Sequence, residues 1–185
     1  KDIMNLPNKL TVLRVVLVPF FVAALLINFT GHIWVALALF AIASITDWFD
    51  GKIARRDGLV TDFGKFLDPL ADKMLVTSAL ICFAAGGWCD AAAVIIIIAR
   101  EFMVSGLRMV TANEGVVVAA GIWGKLKTAF TMIAIIAIMC IEGFVGHSST
   151  VFLISEILIW ISVLFTVISG GIYLKTYWAY IDPNK

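Results

Sequence analysis

Four aspartates carry the first chemical signal in this chain. Asp47 and Asp50 stand three residues apart, and Asp68 and Asp72 stand four apart. On a helix, either spacing puts both carboxylates of a pair on one face. A short charged stretch, residues 51–68, joins the two apolar segments that carry them. Segments joined so closely are expected to be antiparallel neighbours, which brings both pairs to one depth. Four converging carboxylates repel one another and favour protonation unless a cation holds them ionised. Hard divalent cations with oxygen ligands suit such a shell, and paired metals bridged by carboxylates recur in phosphoryl chemistry. Mg²⁺ fits an all-carboxylate shell best, with Mn²⁺ as the alternative. Structural Zn²⁺ would bring Cys or His. His32 and His147 are both expected in solvated loops on the opposite side.

Small residues accompany the carboxylates. Gly51 follows Asp50, Ala54 lies one turn on, and Gly64 opens the approach to Asp68. Glycine costs a helix roughly 1 kcal/mol against alanine, so Gly51 points either to a close ligand or to close helix packing. Asp57 and Asp62 lack this register and read as loop charges. Pro69 is expected in the first turn of the next apolar segment, where proline is tolerated.

The elements that must position these groups follow from composition. The chain has 185 residues, of which 62% are hydrophobic and 15% charged. Soluble domains run at roughly 45–50% apolar and 25% charged. These values exclude a disordered chain and argue against an ordinary water-soluble globule. The apolar runs are continuous rather than alternating, which excludes a large β-barrel. Spanning helices need about 20 apolar residues each. Spans are predicted near 10–29, 33–50, 69–87, 91–111, 122–142 and 151–172. The expected fold is all-α: a polytopic membrane protein of six transmembrane helices forming a single domain, 1–185, in the lipid bilayer.

Charge placement orients the spans. Lys1, Lys9, Lys52, Arg55, Arg56, Lys65, Arg108, Lys125, Lys127, Lys175 and Lys185 fall at both termini and around the connections after spans two and four. The other three connections hold no Lys or Arg. The positive-inside rule then puts both termini and the four aspartates on the cytoplasmic side of the cell membrane. Trp34, Trp88, Trp160, Trp178, Tyr173, Tyr177 and Tyr180 are expected as interfacial anchors. A removable signal peptide is not expected, because the first apolar run lacks a small-x-small cleavage site. The net charge of +1 suggests no nucleic-acid partner. Cys82, Cys89 and Cys140 have no metal-ligand spacing. Cys82 and Cys140 read as small apolar residues, and Cys89 falls in a short loop.

Asp47-x2-Asp50-Gly51-x2-Ala54-Arg55-x8-Gly64-x3-Asp68-x3-Asp72 resembles, without departure, the signature of the CDP-alcohol phosphatidyltransferase family. The resemblance implies six helices around a cytoplasm-facing cavity, in a homodimer. It implies that Asp47, Asp50, Asp68 and Asp72 surround two divalent metals. It assigns Gly51, Ala54, Arg55 and Gly64, with Asp47 and Asp50, to the CDP moiety. It makes Asp72 the general base and CDP-diacylglycerol the phosphatidyl donor.

The acceptor must be argued from other charges. Arg14 lies within span one, and Arg100 and Glu101 lie within span four. Intramembrane charges usually face a cavity or a partner. Arg100 and Glu101 are adjacent, pointing about 100° apart, and are not expected to pair. Arg108 returns near the face of Arg100, and Lys125 and Lys127 open the next span on the same side. Arg100, Arg108 and Lys125 are therefore assigned to an acceptor phosphate, which arginine grips in bidentate fashion. Lys127 reads as an interfacial anchor. Asn5–Arg14, Gly64–Lys73, Ala99–Arg108 and Gly124–Thr128 also resemble the branch of the family that uses glycerol 3-phosphate as acceptor. Phosphatidylglycerol, inositol phosphate and serine remain alternative acceptors, and a divalent-cation transporter remains a remote alternative.

Overall fold

The computed structural model describes residues 6–57, 62–113 and 121–180. Among them the chain forms six α-helices: α1 (Leu6–Leu26), α2 (His32–Asp57), α3 (Asp62–Ala85), α4 (Ala91–Asn113), α5 (Ile122–Val145) and α6 (Ser149–Tyr177). A single 3₁₀ turn, Trp178–Tyr180, follows α6. Three segments combine the length and hydropathy needed to cross a bilayer: Asn8–Leu26, Ile122–Val145 and Ser149–Tyr177. The apolar part of α2, His32–Asp47, is shorter. The protein is thus an all-helical membrane protein.

Several helix ends differ from the sequence expectation. The aspartate-bearing connection is mostly helix, because α2 continues through Asp57 and α3 starts at Asp62. Asp57 and Asp62 are therefore helix-terminal residues rather than loop charges. Pro69 lies inside α3 rather than in its first turn. Glu142, at the predicted edge of span five, lies within α5, which runs on to Val145, and is buried. His32 is the first residue of α2, half-buried, with Nδ1 3.1 Å from the Ala24 carbonyl. His147 is exposed in the connection before α6.

Two compact units divide the chain. The first holds Lys1–Gly86 and Met139–Gly146. Here α1 packs along both α2 and α3, which meet each other less among the described residues. Its core joins Phe21 and Phe40, ring centroids 5.7 Å apart, with Ala36, Ala43, Ala71 and Ala79. Alanines at the contact let helix backbones approach. At the end of α5, a Cβ on Gly143 would sit 3.0 Å from the Trp34 ring, so glycine admits that indole. The second unit holds Gly87–Ile138 and His147–Lys185. Its α4 and α6 pack together. Val94, Ile97, Val104 and Leu107 bury one stripe of α4, and Ser155, Ile159, Ser162, Thr166 and Ser169 bury one stripe of α6.

Both units turn polar groups inward and apolar groups outward. Asn8, Thr11 and Arg14 are buried on α1, while Phe20, Ile42, Ile95, Phe102 and Leu164 are exposed. Water would disfavour that surface, and lipid accepts it. Of the aromatic residues expected as anchors, Trp34, Trp160 and Trp178 are exposed, whereas Tyr173 is buried.

The connection from α3 to α4 is held by side chains. Gly87 adopts φ +71°, the left-handed region that glycine enters without steric cost. Asp90 caps α4, its Oδ1 accepting from Ala92 N–H at 3.1 Å. The Asp90 N–H donates to Glu156 Oε2 at 2.8 Å, and Trp160 Nε1 donates to Glu156 Oε1 at 2.7 Å. Cys89 is buried beside them, and burial, reinforced by Glu156 and Asp90, pushes its thiol up to about 12. Thiolate, not thiol, reacts with alkylating agents. In a variant retaining Cys89 alone, maleimide labelling of the folded protein should still climb about tenfold per pH unit between pH 8 and 10. A plateau near pH 9, as for a free thiol, would contradict this environment.

Candidate functional site

Helical continuity places the aspartates. Asp47, Asp50, Gly51, Ala54 and Arg55 lie on the single helix α2, and Gly64, Asp68 and Asp72 on α3. At 100° per residue, positions 47, 50, 51 and 54 fall on one side of α2, and 64, 68 and 72 step gradually around one side of α3. The backbone thus needs only two helices to align all eight positions. The side chains of Asp50, Gly51, Ala54, Arg55, Gly64 and Asp68 lie outside the described residues. Asp47 and Asp72 are half-buried. Asp72 is flanked by the buried Ala71 and Leu75, which seat that part of α3 in the core of the first unit.

Asp47 meets a partner from α1. Arg14 Nη1 lies 2.6 Å from Asp47 Oδ1, with the arginine side chain 1% exposed and the aspartate 45%. A guanidinium buried in an apolar helix needs a counter-charge, and Asp47 supplies one. Sequence reasoning marked Arg14 as an intramembrane charge but assigned it no role. The residue spacing contained no sign of its partner, because the pair spans two helices.

The donor set fits hard cations in its chemistry. It is built of carboxylates on two helices, and the Asp47 carboxylate is half-exposed. Among the described residues alone, no three His, Cys, Asp or Glu side chains converge. Asp50 and Asp68 are outside that set.

A cationic cluster forms within the second unit. Arg100 and Glu101, adjacent on α4 and not expected to pair, do pair: Arg100 Nη1 donates to Glu101 Oε1 at 2.8 Å. Long side chains bend toward each other across the 100° between their Cα–Cβ bonds. Glu101 Oε1 also accepts from Lys127 Nζ of α5. Lys127 is therefore buried in an ion pair rather than anchored at the interface. Arg100 Nη2 donates to Ser169 Oγ of α6 at 2.6 Å. A Cβ on Gly170 would lie 3.1 Å from Arg100 Cγ, so glycine there lets the arginine stem cross α6. Arg108 is exposed and contacts Tyr173 of α6, as Arg100 does. Lys125, on the first turn of α5, is exposed and makes no ion pair among the described residues. A cleft of about 250 Å³ opens beside it, lined by Gly121, Trp123, Gly124, Ser169, Tyr173 and Tyr177.

Of the predicted acceptor residues, the structure brings Arg100 and Arg108 to one ring and puts Lys125 on the helix that starts there. Glu101, Lys127, Ser169 and Tyr173 were missed as members of this cluster. Glu101 and Lys127 carried a signal, as charges within or beside a span. Ser169 and Tyr173 carried none.

Comparison with known proteins bears on both clusters. Residues 4–168 match the family model described as CDP-alcohol phosphatidyltransferase. A Bacillus subtilis protein named CDP-diacylglycerol–glycerol-3-phosphate 3-phosphatidyltransferase is 43% identical, covering 98% of this chain and 99% of its own length. A Rickettsia bellii protein of the same name is 40% identical over 92% of this chain and 94% of its own. A Haemophilus influenzae protein, again of that name, is 40% identical over 71% and 73%.

The Arg14–Asp47 pair makes a measurable claim. Asp47 is half-exposed, so its coupling to Arg14 should be on the order of 1 kcal/mol. Arg14→Met, Asp47→Asn and the double variant, unfolded by SDS in mixed micelles, close the cycle. Arg14→Met alone should destabilise, and adding Asp47→Asn should recover part of the loss. Strict additivity would show that the two side chains do not couple.

Proposed function

The chain belongs to the CDP-alcohol phosphatidyltransferase family, and on that premise we propose that it transfers the phosphatidyl group of CDP-diacylglycerol to sn-glycerol 3-phosphate. The products are phosphatidylglycerophosphate and CMP, a step of phospholipid biosynthesis. The observation that carries this reading is the near-complete coverage of relatives bearing that activity in their names, at 40–43% identity. The cationic cluster around Arg100 and Arg108 supports a phosphorylated acceptor.

All six helices are read as spans of one domain. Even α1, the shortest with 21 residues, rises about 31 Å, against a hydrocarbon core of roughly 30 Å. Both termini, the aspartates and the cavity they serve are assigned to the cytoplasmic side, and the assembly to a homodimer in the cell membrane.

Asp47, Asp50, Asp68 and Asp72 would hold two divalent cations, Mg²⁺ by preference. When bound, these supply charge neutralisation at the diphosphate and at the departing CMP. Gly51, Ala54 and Gly64 leave room for the CDP moiety against the helix backbones, and Arg55 adds a cation for it. Arg108 and Lys125, with Arg100 set behind them by Glu101 and Ser169, grip the acceptor phosphate. Asp72 takes the proton from the primary hydroxyl of glycerol 3-phosphate. The hydroxyl oxygen then bonds to the phosphorus that bears diacylglycerol, and the bond from that phosphorus to the CMP oxygen breaks. The side chains bind, orient and move one proton, and no covalent enzyme intermediate is required.

Purified protein in detergent, given CDP-diacylglycerol and Mg²⁺, should release CMP with glycerol 3-phosphate. It should release little with phosphatidylglycerol, inositol 1-phosphate or serine. EDTA should abolish release. Asp72→Asn should insert normally and lose at least about two orders of magnitude in turnover. Release with a different alcohol would keep the aspartate chemistry and reject the acceptor. Normal turnover by Asp72→Asn would reject the general base.

A further inference from the structure

The cationic cluster of the second unit is organised around a residue whose position near a span end suggested only a lipid-interface anchor. Tyr173 is buried at 5% exposure. Its ring centroid lies 5.6 Å from Arg100 Cζ and 5.7 Å from Arg108 Cζ. Both distances are within the range of about 6 Å over which a guanidinium is attracted to an aromatic face. Its hydroxyl oxygen accepts from Gly121 N–H at 3.0 Å and from Arg108 Nη2 at 3.4 Å. A Cβ on Gly124 would lie 3.3 Å from that same oxygen, so the first turn of α5 closes directly over it. Val104 and Leu107 of α4 pack with the ring in one buried cluster. One side chain of α6 therefore reaches two arginines of α4 and the backbone that starts α5.

Arg100 and Arg108 stand eight residues apart, about 12 Å along the helix. They carry like charge on long, flexible stems. Gripping a phosphate would cost each of them rotamer freedom, and a cation already held in place loses less on binding. The ring and hydroxyl of Tyr173 supply that restraint. Glu101 and Ser169 restrain Arg100 further, but nothing else among the described contacts spans both arginines and the start of α5.

We infer that Tyr173 is the positioning residue of the acceptor site. It sets Arg100 and Arg108 and fixes the first turn of α5, which presents Lys125. This inference rests on the acceptor reading above. Its contacts run to the cations and to the start of α5, so it governs affinity for the phosphorylated alcohol rather than the chemical step.

The test is steady-state CMP release by the full chain in detergent, for wild type, Tyr173→Phe and Tyr173→Leu. Glycerol 3-phosphate and CDP-diacylglycerol are varied in turn. Tyr173→Phe keeps the ring and loses the hydroxyl contacts, and its KM for glycerol 3-phosphate should rise about three- to tenfold. Tyr173→Leu loses the ring as well and should raise it further. In both, kcat should stay within about twofold and the KM for CDP-diacylglycerol should not change. An unchanged acceptor KM in Tyr173→Phe overturns the inference, as does an equal rise in donor and acceptor KM. If Tyr173→Leu does not fold, Tyr173→Phe decides alone. A wild type with no preference for glycerol 3-phosphate refutes the acceptor reading itself, a result distinct from wild-type preference with unaltered variants.

Discussion

A charge taken out of water must find an opposite charge or a set of hydrogen bonds, and that constraint organises both halves of this protein. Arg14 sits on a mostly apolar helix and is fully buried. Unpaired there, its guanidinium would be very costly. Asp47 answers it across the α1–α2 contact. The pairing does more than neutralise charge, because it ties Asp47 of α2 to the core of its own unit. The second unit obeys the same rule with different residues. Glu101 takes both Lys127 and Arg100, so three ionised groups from two helices share one site.

Around these charges the packing follows. Small residues occupy the places where a long cationic side chain must pass. Gly170 admits the stem of Arg100, and serines and a threonine line the inward stripe of α6. Bulky apolar groups also turn outward, where lipid gives them no penalty, and the buried charges sit where ion pairs and hydrogen bonds meet them.

On the proposed reading, acidic side chains of one unit serve the cations and the diphosphate, and basic side chains of the other serve the acceptor phosphate. In the first, extension of α2 and α3 beyond their apolar portions lets regular helix geometry do the alignment. A loop through residues 51–68 would have needed its own restraints to hold Gly51, Ala54 and Arg55 in register with the aspartates. In the second, α4 carries Arg100 and Arg108, and a tyrosine from α6 lies against both.

What could be read from the amino-acid order alone was the local and compositional part. Helical class, the number of helices, the register of Asp47 with Asp50 and of Asp68 with Asp72, and the family itself all depend on spacings within a short stretch of chain. Such spacings survive whatever the tertiary structure does. Pro69, placed in a first turn, was misjudged by position only, because hydropathy marks the apolar part of a helix and not its end. The contacts between helices were not legible. Arg14 and Asp47 are 33 positions apart, and Arg108 and Tyr173 are 65 apart. Nothing local to either member encodes the other. Arg100 and Glu101 were misread for a related reason, since backbone direction does not determine where a flexible side chain finds its charge. The sequence by itself determined which groups could do chemistry and which helices carry them. Only the tertiary structure decided which of those groups hold one another in place, because burial makes pairing obligatory and burial is a property of packed helices, not of residue order.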